Sequence, residues 1–227
     1  MEDFSLVERI DSEIEKRSLL KHPFYQMWSK GQLELAHLRG YAKEYFQLVK
    51  AVPGMVDAIS ASAESHPLGR DMQVSIRANG QEEHEHLLPW IRFADSLGIS
   101  SAELEGFAPA AKTSESVRAM EQLSGLSFEQ AVAMMYAYEA ELPKISRSKI
   151  EGLQKFYGLD SDDALDYFRI HEEADVRHAQ VWRELLDSLP ADRRSAAFEA
   201  AVRSLEAQNG LLDSVMRNHV SAEMCCS

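Results

Sequence analysis

Nowhere in this chain does an apolar and polar alternation carried by β-branched residues run over five or more positions; Ala, Leu, Glu, Gln and Met dominate instead. Period-two alternation is what a half-buried strand requires, whereas these residues lose least on entering a helix. The expectation is an all-α bundle. The pattern predicts helical segments at 4–19, 22–30, 33–51, 53–65, 68–97, 100–106, 114–123, 127–142, 143–157, 161–187 and 191–219. Pro53, Pro67, Gly98, Pro109, Gly125, Pro143, Gly158 and Pro190 punctuate them. The longest expected loop, 106–116, is too short to separate two cores, so 1–220 reads as one helical domain and 221–227 as a flexible tail.

Charge excludes one class of partner. Acids outnumber bases 37 to 24, leaving a net charge of −13, and phosphate recognition needs clustered Lys and Arg, so no nucleic-acid surface is expected. The N-terminus, MEDFSLVERIDSEIEK, is acidic and amphipathic, and no run of about 18 apolar residues occurs. The expectation is therefore no export signal and no membrane span. Cys225 and Cys226, adjacent at the C-terminus, cannot staple a core and fit a reducing cytoplasm.

Three constellations carry chemistry. In HEEADVRHA, His171, Asp175 and His178 are spaced so that they stack on one helix face, and two imidazoles and a carboxylate converge there. Glu173 and Arg177 fall elsewhere, as a surface pair at i,i+4. In EEHEH, Glu82 and His86 share a face at i,i+4, while Glu83 and His86 do so at i,i+3. Glu139 ends a run, Ala131 to Tyr138, in which every residue is apolar or aromatic. Such a helix is buried all round, and a carboxylate at its end needs a partner. Pro143 removes a hydrogen bond to the Glu139 carbonyl and is expected to kink the helix there. Glu82, His86, Glu139, His171, Asp175 and His178 thus offer three imidazoles and three carboxylates from three helices. With no thiolate among them, the set suits iron or manganese, and two ions bridged by a carboxylate would be poised to activate dioxygen; a single metal held by His171, Asp175 and His178 is the alternative. A solvated acidic surface is the plain alternative for the Glu82–His86 stretch.

The segments HPFYQMWSKGQL, GYAKEYFQLVKAVP, YAYEAELPKISRSKIEGLQKFYG and FRIHEEADVRHA, in that order, resemble the p-aminobenzoate synthases, the family of the chlamydial protein associating with death domains. These are haem-oxygenase-like dimetal oxidases related in fold to pyrroloquinoline-quinone synthase C. The resemblance implies an up-and-down bundle of about seven helices, two metal ions (iron, manganese or one of each), dioxygen as co-substrate and an external reductant. It leaves a homodimer open. It also implies that p-aminobenzoate is cut from the protein itself: Tyr25 matches the sacrificed tyrosine and Lys149 the amino donor, with Tyr138, Tyr41 and Tyr45 near the site. The family's metal ligands match Glu139, His171, Asp175, His178 and His86. Where the family has its remaining glutamate, seven residues before that histidine, this chain has Asn79, so Glu82 is the expected substitute, with Glu83 behind it.

Other readings are separable on the same residues. A thiaminase-type hydrolase needs a core cysteine, which this chain lacks; a haem oxygenase needs an axial histidine, for which His22 is the candidate. A cofactorless oxidase has no use for Asp175. A non-catalytic interaction protein would bind no metal.

Overall fold

Twelve α-helices and no strand lie within residues 4–221, the part of the chain that the computed structural model describes. They are α1 (Leu6–Lys16), α2 (Pro23–Ser29), α3 (Leu35–Ala63), α4 (Pro67–Asp71), α5 (Gln73–Glu85) and α6 (Leu87–Ser96), followed by α7 (Ser101–Glu105), α8 (Ala111–Ser124), α9 (Phe128–Glu139), α10 (Leu142–Phe156), α11 (Asp162–Asp187) and α12 (Arg194–Val215). A single π-turn, Met216–Val220, extends the last helix. Cys225 and Cys226 lie outside the described residues. Among those residues no helix is long and apolar enough to cross a membrane.

Local signals start the helices that matter. Ser161 caps α11 by accepting from the Ala164 N–H, and Asp162 and Asp163 place negative charge at the positive end of the helix. Ser127 caps α9 in the same way. From Ala131 to Glu139 every α9 residue is buried, as the unbroken apolar run required, because α8, α11 and α12 all pack against this helix. The buried apolar side chains form one continuous cluster.

The helix count exceeds the expected seven, and prolines act differently from one position to the next. α3 runs straight through Pro53 although the sequence suggested a break there. Proline forfeits its own donor and crowds the carbonyl one turn back, but Val49, Val52, Met55 and Val56 around it are all buried, so packing holds the helix. Conversely, the single helix expected over 68–97 is broken twice. Pro89 lacks the N–H that would bond the Glu85 carbonyl, and the chain turns at His86 before a new helix begins. Pro143 does more than kink: α9 ends at Glu139, and the proline sits in the first turn of α10, where no intrahelical donor is needed.

Candidate metal centre

Three helices meet where the carboxylates and imidazoles are. α11 presents His171, Asp175 and His178 inward at one-turn spacing, α5 presents Glu83, His86 occupies the break before α6, and Glu139 closes α9. None of these six side chains is more than 6% exposed. They form two overlapping groups: Glu83, His86 and His171 in one, and Glu83, Glu139, Asp175 and His178 in the other, with potential ligand atoms within 4.8 Å of one another in each group. Glu83 belongs to both. Its Oε1 lies 3.3 Å from His178 Nδ1 and its Oε2 lies 3.4 Å from His86 Nδ1, so its two oxygens face the two groups separately.

Several of the polar atoms here are buried without a hydrogen-bond partner. Among the described residues seven buried side-chain nitrogen or oxygen atoms lack a hydrogen-bond partner, and five of them are here: His86 Nδ1, Glu139 Oε1, both Asp175 oxygens and His178 Nδ1. An orphaned buried polar atom costs roughly 1–3 kcal/mol, and five such atoms aimed at one place are what a cation site would satisfy. The donor set of nitrogen and oxygen atoms without sulfur fits iron or manganese. Burial drives the Glu139 carboxyl well up and raises that of Asp175. Burial alone would raise Glu83 too, but His178, His86 and His171 hold it below the usual carboxylate range.

Neighbouring groups fix the orientation of the site's side chains. His171 Nδ1 bonds the Tyr167 carbonyl at 2.7 Å, which leaves Nε2 for the site. The Trp182 indole N–H donates to Glu139 Oε2 at 2.5 Å and leaves Oε1 facing inward. Tyr167, one turn before His171, and Trp182, one turn after His178, extend the same helical stripe, a signal present in the sequence but not singled out there.

Glu82 is not in the cluster, contrary to expectation. It is 32% exposed and its carboxylate takes two hydrogen bonds from Arg177, at 3.0 and 2.9 Å. Its sequence neighbour Glu83 points inward instead. The pairing expected between Glu173 and Arg177 is thus replaced by one across helices. Asn79 lies one turn before Glu83, buried, with its amide nitrogen unpartnered. His22, the axial candidate for a haem, is committed elsewhere: Nδ1 accepts from the Phe24 N–H and Nε2 faces Asp213 at 3.2 Å.

A second buried assembly adjoins the first. Lys149, 3% exposed on α10, donates to the Tyr41 hydroxyl at 2.7 Å, and that hydroxyl lies 3.2 Å from the hydroxyl of Tyr25. The amine sits 5.0–5.2 Å from the ring centroids of Tyr25, Tyr41, Tyr45 and Phe168. Burial lowers its pKa from 10.5 to about 7. Burial likewise pushes the Tyr25 and Tyr41 phenols well above 10. Tyr138 is buried. Ring contacts run without a gap from His171 to Tyr25: His171 to Tyr167 at 4.1 Å, Tyr167 to Trp90 at 4.6 Å, Trp90 to Tyr45 at 5.3 Å, Tyr45 to Tyr41 at 5.1 Å and Tyr41 to Tyr25 at 6.3 Å. Trp90 and Tyr167 were not among the sequence candidates.

Such a helical bundle is similar to solved haem-oxygenase-like structures. A TenA homologue from Pseudomonas syringae pv. tomato superposes with a TM-score of 0.82 at 14% identity, covering 93% of each chain. A domain with a heme oxygenase-like fold from Shewanella denitrificans gives 0.76 at 17% identity, covering 93% of this chain and 89% of that one. Residues 77–209, which span α5 to α12 and all six clustered side chains, match the family described as iron-containing redox enzyme. The chain belongs to that family of haem-oxygenase-like, dinuclear metal-dependent oxidases. Among its relatives, the 4-aminobenzoate synthase of Chlamydia trachomatis serovar D is 32% identical over 224 residues, 98% of this chain and 95% of the relative. The 4-aminobenzoate synthase of Nitrosomonas europaea is 30% identical, over 96% and 94%. A pyrroloquinoline-quinone synthase from Xanthomonas oryzae pv. oryzae is 28% identical over 65% of this chain and 60% of its own.

Proposed function

We propose that this protein is a dimetal oxygenase that makes p-aminobenzoate from its own Tyr25, with the Lys149 amine as the nitrogen source, in a single turnover. The observation that carries the reading is the buried amine. A nucleophilic nitrogen needs a free lone pair, and Lys149, with a pKa near 7, exposes one at neutral pH in contact with the phenol system. Glu83, His86 and His171 would hold one metal ion, and Glu83, Glu139, Asp175 and His178 the second, with Glu83 shared between them.

Iron, manganese or one of each, when bound, supplies the oxidising power drawn from dioxygen, and an external reductant in a reducing cytoplasm supplies electrons. The chain's residues do the rest. The product has seven carbons, so the Tyr25 ring and its Cβ account for all of them: the Cα–Cβ bond breaks and Cβ is oxidised to the carboxylate at the expense of dioxygen, while the phenolic C–O bond gives way to a C–N bond with the oxygen leaving as water, and the Lys149 Cε–Nζ bond breaks to leave Cε as an aldehyde. Tyr41, between the amine and the Tyr25 hydroxyl, is placed to relay a proton: its oxygen takes one from Lys149 as its own O–H passes one to the Tyr25 oxygen. The ring series from His171 supports loss of an electron from Tyr25 without direct contact with metal. The enclosing core, with Tyr25 3% exposed, keeps bulk water from an oxidised ring.

Metal-loaded protein given oxygen and a reductant should form no more than one p-aminobenzoate per chain, and ring-labelled tyrosine incorporated during expression should appear in the product. Tyr25→Phe and Lys149→Met should form none while keeping their metal. Repeated turnover, or unlabelled product, would mean that the enzyme acts on a free small molecule instead.

A further inference from the structure

We propose that Glu82 is a positioning residue that selects the nitrogen His178 offers to metal. The inference rests on the dimetal reading above. Glu82 Oε2 lies 3.2 Å from His178 Nε2, on the side of the ring away from the cluster, whereas Nδ1 faces Glu83 Oε1 at 3.3 Å and Asp175 Oδ1 at 3.6 Å. An imidazole whose Nε2–H is taken by a carboxylate must present Nδ1 as its lone pair, and the hydrogen bond also fixes the ring's rotation.

The carboxylate is itself held. Arg177 grips both Glu82 oxygens, and the planar match of guanidinium and carboxylate leaves one orientation in the plane. Arg177 and His178 are consecutive on α11, so one side chain on α5 is pinned by two successive residues of the facing helix. This makes a cross-helix fastening 95 residues apart in sequence, anchored at the surface, where Arg177 is 62% exposed, and ending at a ligand that is 0% exposed. His171 is oriented by a backbone carbonyl of its own helix; His178 depends on another element. The two metal positions should therefore respond differently when the contact between α5 and α11 is weakened.

The test uses the full chain titrated anaerobically with cobalt(II), whose visible spectrum reports the ligand field, alongside iron(II) for stoichiometry. Wild type should take two ions. Glu82→Ala should still take two, with one of them bound 10- to 100-fold more weakly and a shifted cobalt spectrum. Glu82→Gln, which keeps an oxygen acceptor, should recover most of that loss, and Arg177→Gln should fall between. Glu83→Gln, in contrast, should lose metal outright. Loss of a whole ion in Glu82→Gln would make Glu82 a ligand and overturn the proposal. So would wild-type affinity and spectrum in Glu82→Ala. A wild-type chain that binds no metal overturns the dimetal reading as well, a result distinct from either of these.

Discussion

Lys149 donates to a phenol rather than to a carboxylate, and this sets a pH dependence for the whole fold. Folded, it titrates near 7; unfolded, near 10.5. Between about pH 7 and pH 10 the unfolded chain therefore binds one proton more than the folded chain, so stability rises with pH through that window, and the penalty is fully present below it. Lys149→Met, of similar volume, removes the group. It should be more stable than wild type at pH 7 by roughly 2–4 kcal/mol in chemical denaturation, with a flatter profile up to about pH 9.5. A variant as pH-dependent as wild type would count against the buried amine. Trp182→Phe removes the N–H that holds Glu139 and should cost roughly 1–3 kcal/mol, with weaker metal binding read by the same titration. The α11 face was legible beforehand because 3.6-residue periodicity alone brings His171, Asp175 and His178 together. The choice between Glu82 and Glu83 was not, since spacings of three and four both satisfy it. What decides it is the break at His86 and an arginine contributed by another helix.

α2 and α10 approach most tightly at one small residue, and that contact aligns the proposed donor with the proposed substrate. Gly152 lies against Trp28 so closely that an added Cβ would fall 2.5 Å from Trp28 Cδ1, and the Trp28 indole donates to the Lys149 carbonyl at 3.2 Å. Trp28 also packs edge-on against Tyr25 and Tyr41. Gly152→Ala should therefore push the two helices apart, costing roughly 1–3 kcal/mol, and lower product yield while leaving metal stoichiometry at the wild-type value. Unchanged yield together with wild-type stability would mean that α2 has no fixed seat on α10. Helix identity was readable from composition and periodicity, and caps such as Ser161 and Ser127 placed the ends. Proline was the element hardest to read. Pro53 passes through α3 because its surroundings are buried, whereas Pro89 breaks the chain at a histidine whose position depends on that break. A proline's effect is set by the partners its carbonyl and ring meet, and those are tertiary.

α5, α9 and α11 converge on a cluster in which five buried oxygens and nitrogens lack a hydrogen-bond partner, so metal should act as part of the fold. Iron(II) or manganese(II) at a hundred times its dissociation constant should stabilise the chain by about 2.7 kcal/mol, seen as a rise in melting temperature that chelation reverses. A melting temperature indifferent to metal would mean that the orphaned atoms are satisfied in some other way. The net charge of −13 favours the approach of cations, and raising salt should slow metal uptake more than it weakens final binding. The burial of Tyr25 has one more consequence. Its ring packs against Phe24, Trp28 and Tyr41 in the interior, so a chain that had surrendered that ring would carry a void where it stood. Emptying an aromatic site in a core costs roughly 3–5 kcal/mol, a large share of the total stability of an ordinary protein. In the reaction proposed here, a spent copy would melt roughly ten degrees lower than a fresh one and open more often to proteases. Making the product would then also set the lifetime of its maker, and used chains would clear themselves from the cell without any dedicated signal.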